Sequence, residues 1–242
     1  MTDGETGRVF RLAYVPGVTP AKWVSTWTER MPDVPVTLVA VPAAEVVGLL
    51  RDGGADAGFA RLPFDRDGLS VIPLYVETTV VVVPKDHAVA AADEVTVADL
   101  DDDEVFHALD DTIEWTVRPG RSAFTRPATT ADAVGLVAAG TGILLVPQSL
   151  ARLYHRRDLT YRPVLDAPQS QVALTWPTDA TTDLVEDFIG IVRGRTVNSS
   201  RGRTPASPPE KPARRQAQKP AQNGSGRRAV PAGRKRKGYR SR

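Results

Sequence analysis

An arginine at the end of a short apolar segment has the type and position of a binding residue. The segment from Asp56 to Pro63 reads DAGFARLP, and its shortness and apolar character predict a buried parallel strand. Ligands of open α/β sheets bind beyond the carboxyl ends of such strands, where Arg61 would offer a planar fork of donors to a carboxylate or a phosphate. The alternative is that Arg61 pairs with Asp65 or Asp67 and only fixes the loop.

The segments before Asp56 alternate between strand and helix patterns. Val9 to Val15 and Val36 to Val41 read as strands. Thr19 and Pro20 read as an N-cap and a first helical residue, and a second helical pattern ends at the cap signal 52–54. Together these elements predict a right-handed β-α-β-α-β unit.

Later segments predict a second unit. Val71 to Val83 is a β-branched run about twice the usual strand length, which predicts a segment that crosses from one lobe into another. The remaining predicted strands are 105–108, 112–117, 143–146, 159–164 and 171–176, and the remaining helices are 130–139, 149–155 and 179–192.

Charge is unevenly distributed along the 242 residues. From Val197 onward there are 14 Lys or Arg and one acid, whereas residues 1–196 hold 17 bases and 28 acids, a net charge of −11. The final segment is rich in Pro, Ala, Ser and Gly, and it cannot bury enough apolar area to offset its ordering entropy. We therefore predict a disordered basic tail over 197–242.

Several classes of protein are disfavoured by composition. The chain has no cysteine, which excludes disulfides and cysteine nucleophiles. No apolar signal core or membrane-length apolar stretch is present, so we expect a cytoplasmic protein without membrane contact. No nucleophile and base, or paired carboxylates, fall at strand ends, so we do not expect an enzyme.

Five segments, taken in order, resemble the effector-binding domain of LysR-type transcriptional regulators. They are FRLAYVPG from Phe10, LRDGGADAGF from Leu50, VVVPKDHAVA from Val81, TVADL from Thr96 and LVAAGTGILLVPQSL from Leu136. The resemblance implies an α/β fold of two Rossmann-like lobes joined by two crossing strands, as in type 2 periplasmic binding proteins. The domain would span 9–196, with lobe I at about 9–84 and 170–196 and lobe II at about 85–169.

One departure from the family is expected at the N terminus. Members carry a winged helix-turn-helix there, but only eight residues precede the first predicted strand. That is too short for a recognition helix. The expectation is a sensor without its own helix-turn-helix.

The resemblance implies a ligand site in lobe I. Gly17, Val18 and Thr19 would present backbone amides and a hydroxyl to an anionic effector at a helix N terminus. The alternative for Thr19 is that it only caps the helix. Arg61 matches a position that contacts carboxylate effectors in some members.

In lobe II, Thr129 and Thr130 precede an apolar helix and are expected to present amides to the cleft. Arg126 is an additional anion contact in this hypothesis, and a surface-loop residue in the alternative. His87 resembles a hinge-flanking histidine with a structural role. His107 and His155 stand alone, so no metal and no cofactor are predicted.

The leading hypothesis is an effector-binding module that takes a small anionic metabolite between two lobes and acts in transcriptional regulation. Trp23 and Trp27 lie one helical turn apart and belong either to the core or to a dimer surface, and a homodimer is expected. The rival hypothesis is a nucleic-acid-associated protein whose tail binds phosphates weakly and without sequence preference. A solubilising tail is the alternative to that contact.

Overall fold

The computed structural model describes residues 8–195, whose strands form two five-stranded sheets. The predicted tail lies outside the described residues. The strands are β1 (Phe10–Tyr14), β2 (Val36–Ala40), β3 (Ala57–Leu62), β4 (Leu69–Glu77), β5 (Thr79–Pro84), β6 (Glu104–Phe106), β7 (Arg121–Ser122), β8 (Ile143–Pro147), β9 (Leu159–Pro163) and β10 (Ser170–Pro177). The helices are α1 (Ala21–Arg30), α2 (Val46–Arg51), α3 (Thr130–Ala138), α4 (Gln148–Leu153) and α5 (Asp183–Val192).

The two sheets share one plan. The strand order is β2-β1-β3-β10-β4 in lobe I and β7-β6-β8-β5-β9 in lobe II. In each sheet the first three strands are parallel and the last two pair antiparallel to their neighbours. The antiparallel neighbour of β3 is β10, which follows lobe II in the chain, and the antiparallel neighbour of β8 is β5, which follows β4 of lobe I. The predicted α/β fold of two lobes is confirmed.

Two segments connect the lobes. The apolar run predicted to cross does so, since β4 belongs to the first sheet, β5 to the second, and only Thr78 separates them. The chain returns between β9 and β10. Sheet membership therefore places Thr79–Pro84 in lobe II, although the sequence assigned these residues to lobe I.

An aromatic cluster fills the core of lobe I. Phe10 stacks on Trp27 with ring centroids 4.6 Å apart, and Phe188 of α5 lies within 6.0 Å of the rings of Phe10, Trp27 and Phe59. Trp23 is half-buried and stacks on Phe59 at 4.7 Å. Trp27 is a core residue, and these aromatic contacts hold α1 and α5 against the sheet that carries Arg61.

The predictions fail mainly between β6 and α3. The strand predicted over 112–117 is absent, because the alternating apolar residues of that stretch have no partner strand and Val117 is 77% exposed. Gly120 (φ +59°) turns the chain into β7, which pairs with β6. Of the helices within residues 8–195, none has the length and apolar character needed to span a membrane.

We expect Phe188→Ala to lower the free energy of unfolding by about 3–5 kcal/mol, because it leaves a cavity among buried rings. Chemical denaturation followed by tryptophan fluorescence measures the loss. Phe124→Ala is the matched control, since Phe124 is fully exposed and its loss should change stability by less than about 0.5 kcal/mol. Similar losses in the two variants would contradict the packing described above.

Candidate binding site between the lobes

Arg61 bonds to residues of both lobes and is only 5% exposed. Its Nη1 donates to Glu77 Oε2 at 2.9 Å and to Ser170 Oγ at 3.0 Å. Its Nη2 donates to Ser149 Oγ at 2.9 Å and to the Pro16 carbonyl at 3.2 Å. The buried guanidinium is thus paired with a carboxylate and further hydrogen-bonded, which is the condition under which proteins tolerate a buried charge.

The partners of Arg61 come from both crossing strands of lobe I, from the loop before α1 and from lobe II. Glu77 is the last residue of β4, before the first crossing, and Ser170 is the first residue of β10, after the second crossing. Ser149 belongs to α4 of lobe II and donates its hydroxyl to Glu77 Oε2 at 2.7 Å. One side chain therefore joins both crossing segments and both lobes.

Neither Asp65 nor Asp67, the carboxylates considered as alternative partners, bonds to Arg61 within the described residues. Asp65 pairs with Arg51 at 2.8 Å and accepts the amide of Asp67 at 3.0 Å. The partner of Arg61 is Glu77, which sequence reasoning missed. A signal existed, because Glu77 is the one acid in the apolar run 71–83, and a carboxylate in a buried run needs a cation.

The loop before α1 touches this network. Gly17 has φ +83°, and a Cβ on it would lie 2.5 Å from Ser149 Oγ and 2.9 Å from Arg61 Nη2. Val18 is buried and Thr19 is exposed. The prediction that Thr19 caps the helix is wrong, because α1 begins at Ala21 after Pro20 and has no side-chain cap.

In lobe II, side chains of the protein itself bond to backbone amides at the N terminus of α3. The amide and the hydroxyl of Thr130 both donate to Asp110 Oδ1, at 2.7 and 2.9 Å. Thr129 caps the helix by accepting the amide of Asp132 at 3.1 Å. Of the two amides that the sequence assigned to a ligand, that of Thr130 is therefore bonded to the protein's own carboxylate, and sequence reasoning missed Asp110.

A cationic cluster lies beside that helix. Arg126 is exposed and its Nε donates to the His107 carbonyl at 3.2 Å. His107 is 7% exposed, and its Nε2 has no hydrogen-bond partner among residues 8–195. Burial lowers the pKa of His107, and the charges of Arg118 and Arg126 lower it further.

The candidate residues thus form two groups. Gly17 lies beside Arg61 at the crossing segments, whereas Arg126, Thr129 and Thr130 lie at and just before the head of α3. His87 has structural contacts, since its Nδ1 accepts the amide of Val89 and its Nε2 bonds to Asp103 Oδ1. In residues 8–195 there is no cluster of three or more His, Asp or Glu positioned to hold a metal ion.

We expect Gly17→Ala to destabilise the protein by about 1–3 kcal/mol more than Gly140→Ala, because it adds overpacking to the strain of a positive φ. Gly140 (φ +74°) is the matched control, since a Cβ there would meet nothing within 4 Å. Thermal denaturation measures both losses. Ser149→Ala, added to Gly17→Ala, should recover part of the loss; equal losses for the two glycine variants would contradict the close approach.

We expect His107 to titrate below the ordinary histidine range, because burial and two neighbouring guanidinium groups disfavour its charged form. The part of the free energy of unfolding that depends on neutral His107 is fully present above the pKa of His107 in the unfolded chain. It is lost as the pH falls through the lower pKa of His107 in the folded protein. Imidazole NMR across pH 4–8 measures the titration of His107 in the folded protein and in the protein unfolded by denaturant. A His107 pKa in the folded protein at or above that in the unfolded chain would contradict the geometry.

Comparison with known proteins places this geometry in a family. The LysR substrate binding domain family matches residues 3–196. The chain is 30% identical over 153 residues to a probable hydrogen peroxide-inducible genes activator of Mycobacterium leprae, covering 58% of this chain and 49% of the relative. It is 26% identical over 178 residues to the Hca operon transcriptional activator of Escherichia coli, covering 69% and 60%. The chain thus spans about half to three fifths of these relatives.

Solved structures show the same fold. The effector-binding domain of BenM with its effector benzoate superposes with a TM-score of 0.66 at 20% identity, over 77% of this chain and 91% of that domain. The oxidised form of OxyR gives 0.63 at 19% identity, over 76% and 92%. The family match covers both described lobes in full, and the chain therefore belongs to the LysR substrate binding domain family, the effector-binding domain of LysR-type transcriptional regulators.

Proposed function

We propose that residues 8–195 bind a small anionic metabolite at the base of the interlobe cleft and that this binding serves transcriptional regulation. The observation that carries the proposal is the position of Arg61, which bonds to both lobes and both crossing segments. A ligand that changes the bonding of Arg61 therefore acts on the hinge directly.

The head of α1 supports an anionic ligand. Among the described helices of nine or more residues, α3 and α5 have threonine caps, whereas α1 has no side-chain cap. A helix N terminus has the equivalent of about +0.5 charge and unpaired amides, which favour an anion. Pro16, whose carbonyl accepts from Arg61, lies only four residues before Pro20 at this head. The α1 amides and Arg61 can therefore serve one ligand.

In this proposal, Glu77 competes with the carboxylate of the effector for the guanidinium group of Arg61. It accepts from both Arg61 and Ser149, so an effector carboxylate that bonds to Arg61 takes a place that Glu77 holds in its absence. Release of Glu77 would loosen the contact between β4 and α4. The energy of effector binding is thereby coupled to the relative position of the lobes, as a hinge mechanism requires.

The relatives support a carboxylate effector more than a peroxide response. BenM is described with benzoate as its effector, and benzoate is a carboxylate. The peroxide-inducible relatives share sequence with this chain, but the chain has no cysteine and so has no thiol to oxidise. We therefore place the effector among small aromatic or short-chain carboxylates.

Calorimetric titration of the full chain with benzoate and pooled short-chain carboxylates tests the proposal. Arg61→Ala should weaken binding at least about tenfold, since a charge-assisted hydrogen bond contributes about 1.5–3 kcal/mol. Arg51→Ala is the matched control, because it removes an arginine of the same lobe that bonds to Asp65 at the surface, and it should bind as the wild type does.

A second variant keeps the test valid if Arg61→Ala unfolds. Glu77→Gln removes the competing charge while keeping the shape of the side chain, so anion binding should tighten about tenfold, or about 1.4 kcal/mol. Absence of carboxylate binding in both the wild type and Glu77→Gln, with both folded, would contradict the proposal. Equal affinities for Arg61→Ala and Arg51→Ala would contradict the role of Arg61.

Two further expectations remain proposals. The basic tail lies outside the described residues and beyond the family match, which ends at residue 196. Its 14 basic residues and one acid support weak contact with nucleic acid that weakens with salt. The homodimer likewise remains a proposal.

A further inference from the structure

We propose that Glu77 takes up a proton from solvent when a carboxylate effector binds at Arg61, so that effector binding weakens as the pH rises. This inference rests on the function proposed above and names a regulator of the same site, the proton. The observation behind it is the charge of the site, which pairs its buried cation with a carboxylate of the protein itself.

Arg61 and Glu77 balance each other when no effector is bound. Arg61 Nη1 and Glu77 Oε2 are 2.9 Å apart, and the two side chains are 2% and 10% exposed. The other described groups that bond to Arg61 are the hydroxyls of Ser149 and Ser170 and the carbonyl of Pro16, which are all neutral. The buried network therefore has no net charge while Glu77 is ionised.

The terminal nitrogens of Arg61 have no hydrogen left for a new acceptor. Each of them carries two N–H groups, and each donates two bonds within the protein. A paired bond to a carboxylate engages two N–H groups, whereas Nε has only one. An effector carboxylate that forms such a pair therefore replaces at least one acceptor of the network and lies close to Glu77.

The carboxylate of Glu77 stays in the site when its bond to Arg61 is lost. Its backbone is paired with Ser170 in the ladder between β4 and β10. Ser149 donates to Glu77 Oε2 at 2.7 Å, and this bond does not depend on Arg61. The effector thus adds a second carboxylate to a buried site with one guanidinium group.

Two carboxylates beside one cation leave a buried negative charge, which is strongly disfavoured. The head of α1 offsets only part of it, because a helix N terminus has the equivalent of about +0.5 charge. Two carboxyl groups that share such a site keep one proton between them. Protonated Glu77 has an O–H that donates to the effector carboxylate, and the charge of the site is balanced again.

The other groups that face Glu77 do not take up this proton. Arg61 of β3 is charged at every accessible pH. Tyr75, on the same strand as Glu77, is already protonated near neutral pH, because burial raises the pKa of Tyr75 and the charge of Glu77 raises it further, while Arg61 lowers it. From α4 and β10 the facing groups are the hydroxyls of Ser149 and Ser170. The proton therefore goes to the carboxyl pair.

Calorimetric titration of the full chain with benzoate, in two buffers of different ionisation enthalpy, counts the protons taken up. We expect about one proton per benzoate, and an affinity that falls by up to about tenfold per pH unit between about pH 5.5 and 7.5, where free carboxylates are ionised. Glu77→Gln should lose both effects, because glutamine is neutral and donates as protonated Glu77 does. Glu45→Gln is the matched control at an exposed glutamate of lobe I and should keep both.

The proton count separates this inference from the proposed function. Benzoate binding without proton uptake, or with equal uptake in Glu77→Gln, would overturn the inference and leave the proposed function standing. Absence of binding by benzoate and by pooled short-chain carboxylates would overturn both.

Infrared difference spectroscopy of the wild type, with and without benzoate, gives the answer if Glu77→Gln does not fold. We expect benzoate to produce the absorption of a protonated carboxylic acid, and this band should not shift when the carboxyl group of benzoate is isotopically labelled. Absence of the band, or a shift with the label, would contradict protonation of Glu77.

Discussion

The buried ion pair of Arg61 and Glu77 is the interaction on which the arrangement of the two lobes depends. Their side chains are 2% and 10% exposed, so removing one partner leaves an uncompensated charge, which costs about 3–5 kcal/mol in buried pairs. Neither residue can satisfy its charge with solvent, because both side chains are buried. Arg61 is the penultimate residue of β3, and Glu77 is the last residue of β4, the strand that leaves lobe I. The electrostatic requirement therefore fixes where the chain crosses.

The neighbours of the pair are small because the groups approach closely. Ser149 bridges the two charges with one hydroxyl, accepting from Arg61 and donating to Glu77. Gly17 lies against that hydroxyl in a conformation that favours glycine. Hydrogen bonds in a connected network polarise one another, so their strengths are coupled. A ligand that replaces one bond to Arg61 therefore changes the contact between the loop before α1, the hinge and lobe II together.

Local sequence patterns predicted most of the fold, but they did not predict the side-chain partners that lie far apart along the chain. The run 71–83 was predicted as a crossing segment from length alone. The sequence left Trp23 and Trp27 open between the core and a dimer surface, and the structure buries Trp27 in the core. The partner of Arg61 lies 16 residues away along the chain, and no spacing rule favours Glu77 over the nearer Asp65 and Asp67. Asp110 and Thr130 are 20 residues apart, and their contact depends on the path of an irregular loop.

That loop produces a difference between the lobes that bears on ligand charge. In lobe I the head of α1 has no side-chain cap, whereas in lobe II Asp110 fills the head of α3. A ligand anion can therefore use backbone amides in lobe I without displacing an internal carboxylate from them, although it must compete with Glu77 for Arg61. In lobe II it would have to displace Asp110 or use side-chain cations. Since guanidinium groups on an exposed loop are screened by salt more strongly than a buried arginine, binding at lobe II should depend more steeply on ionic strength than binding at Arg61.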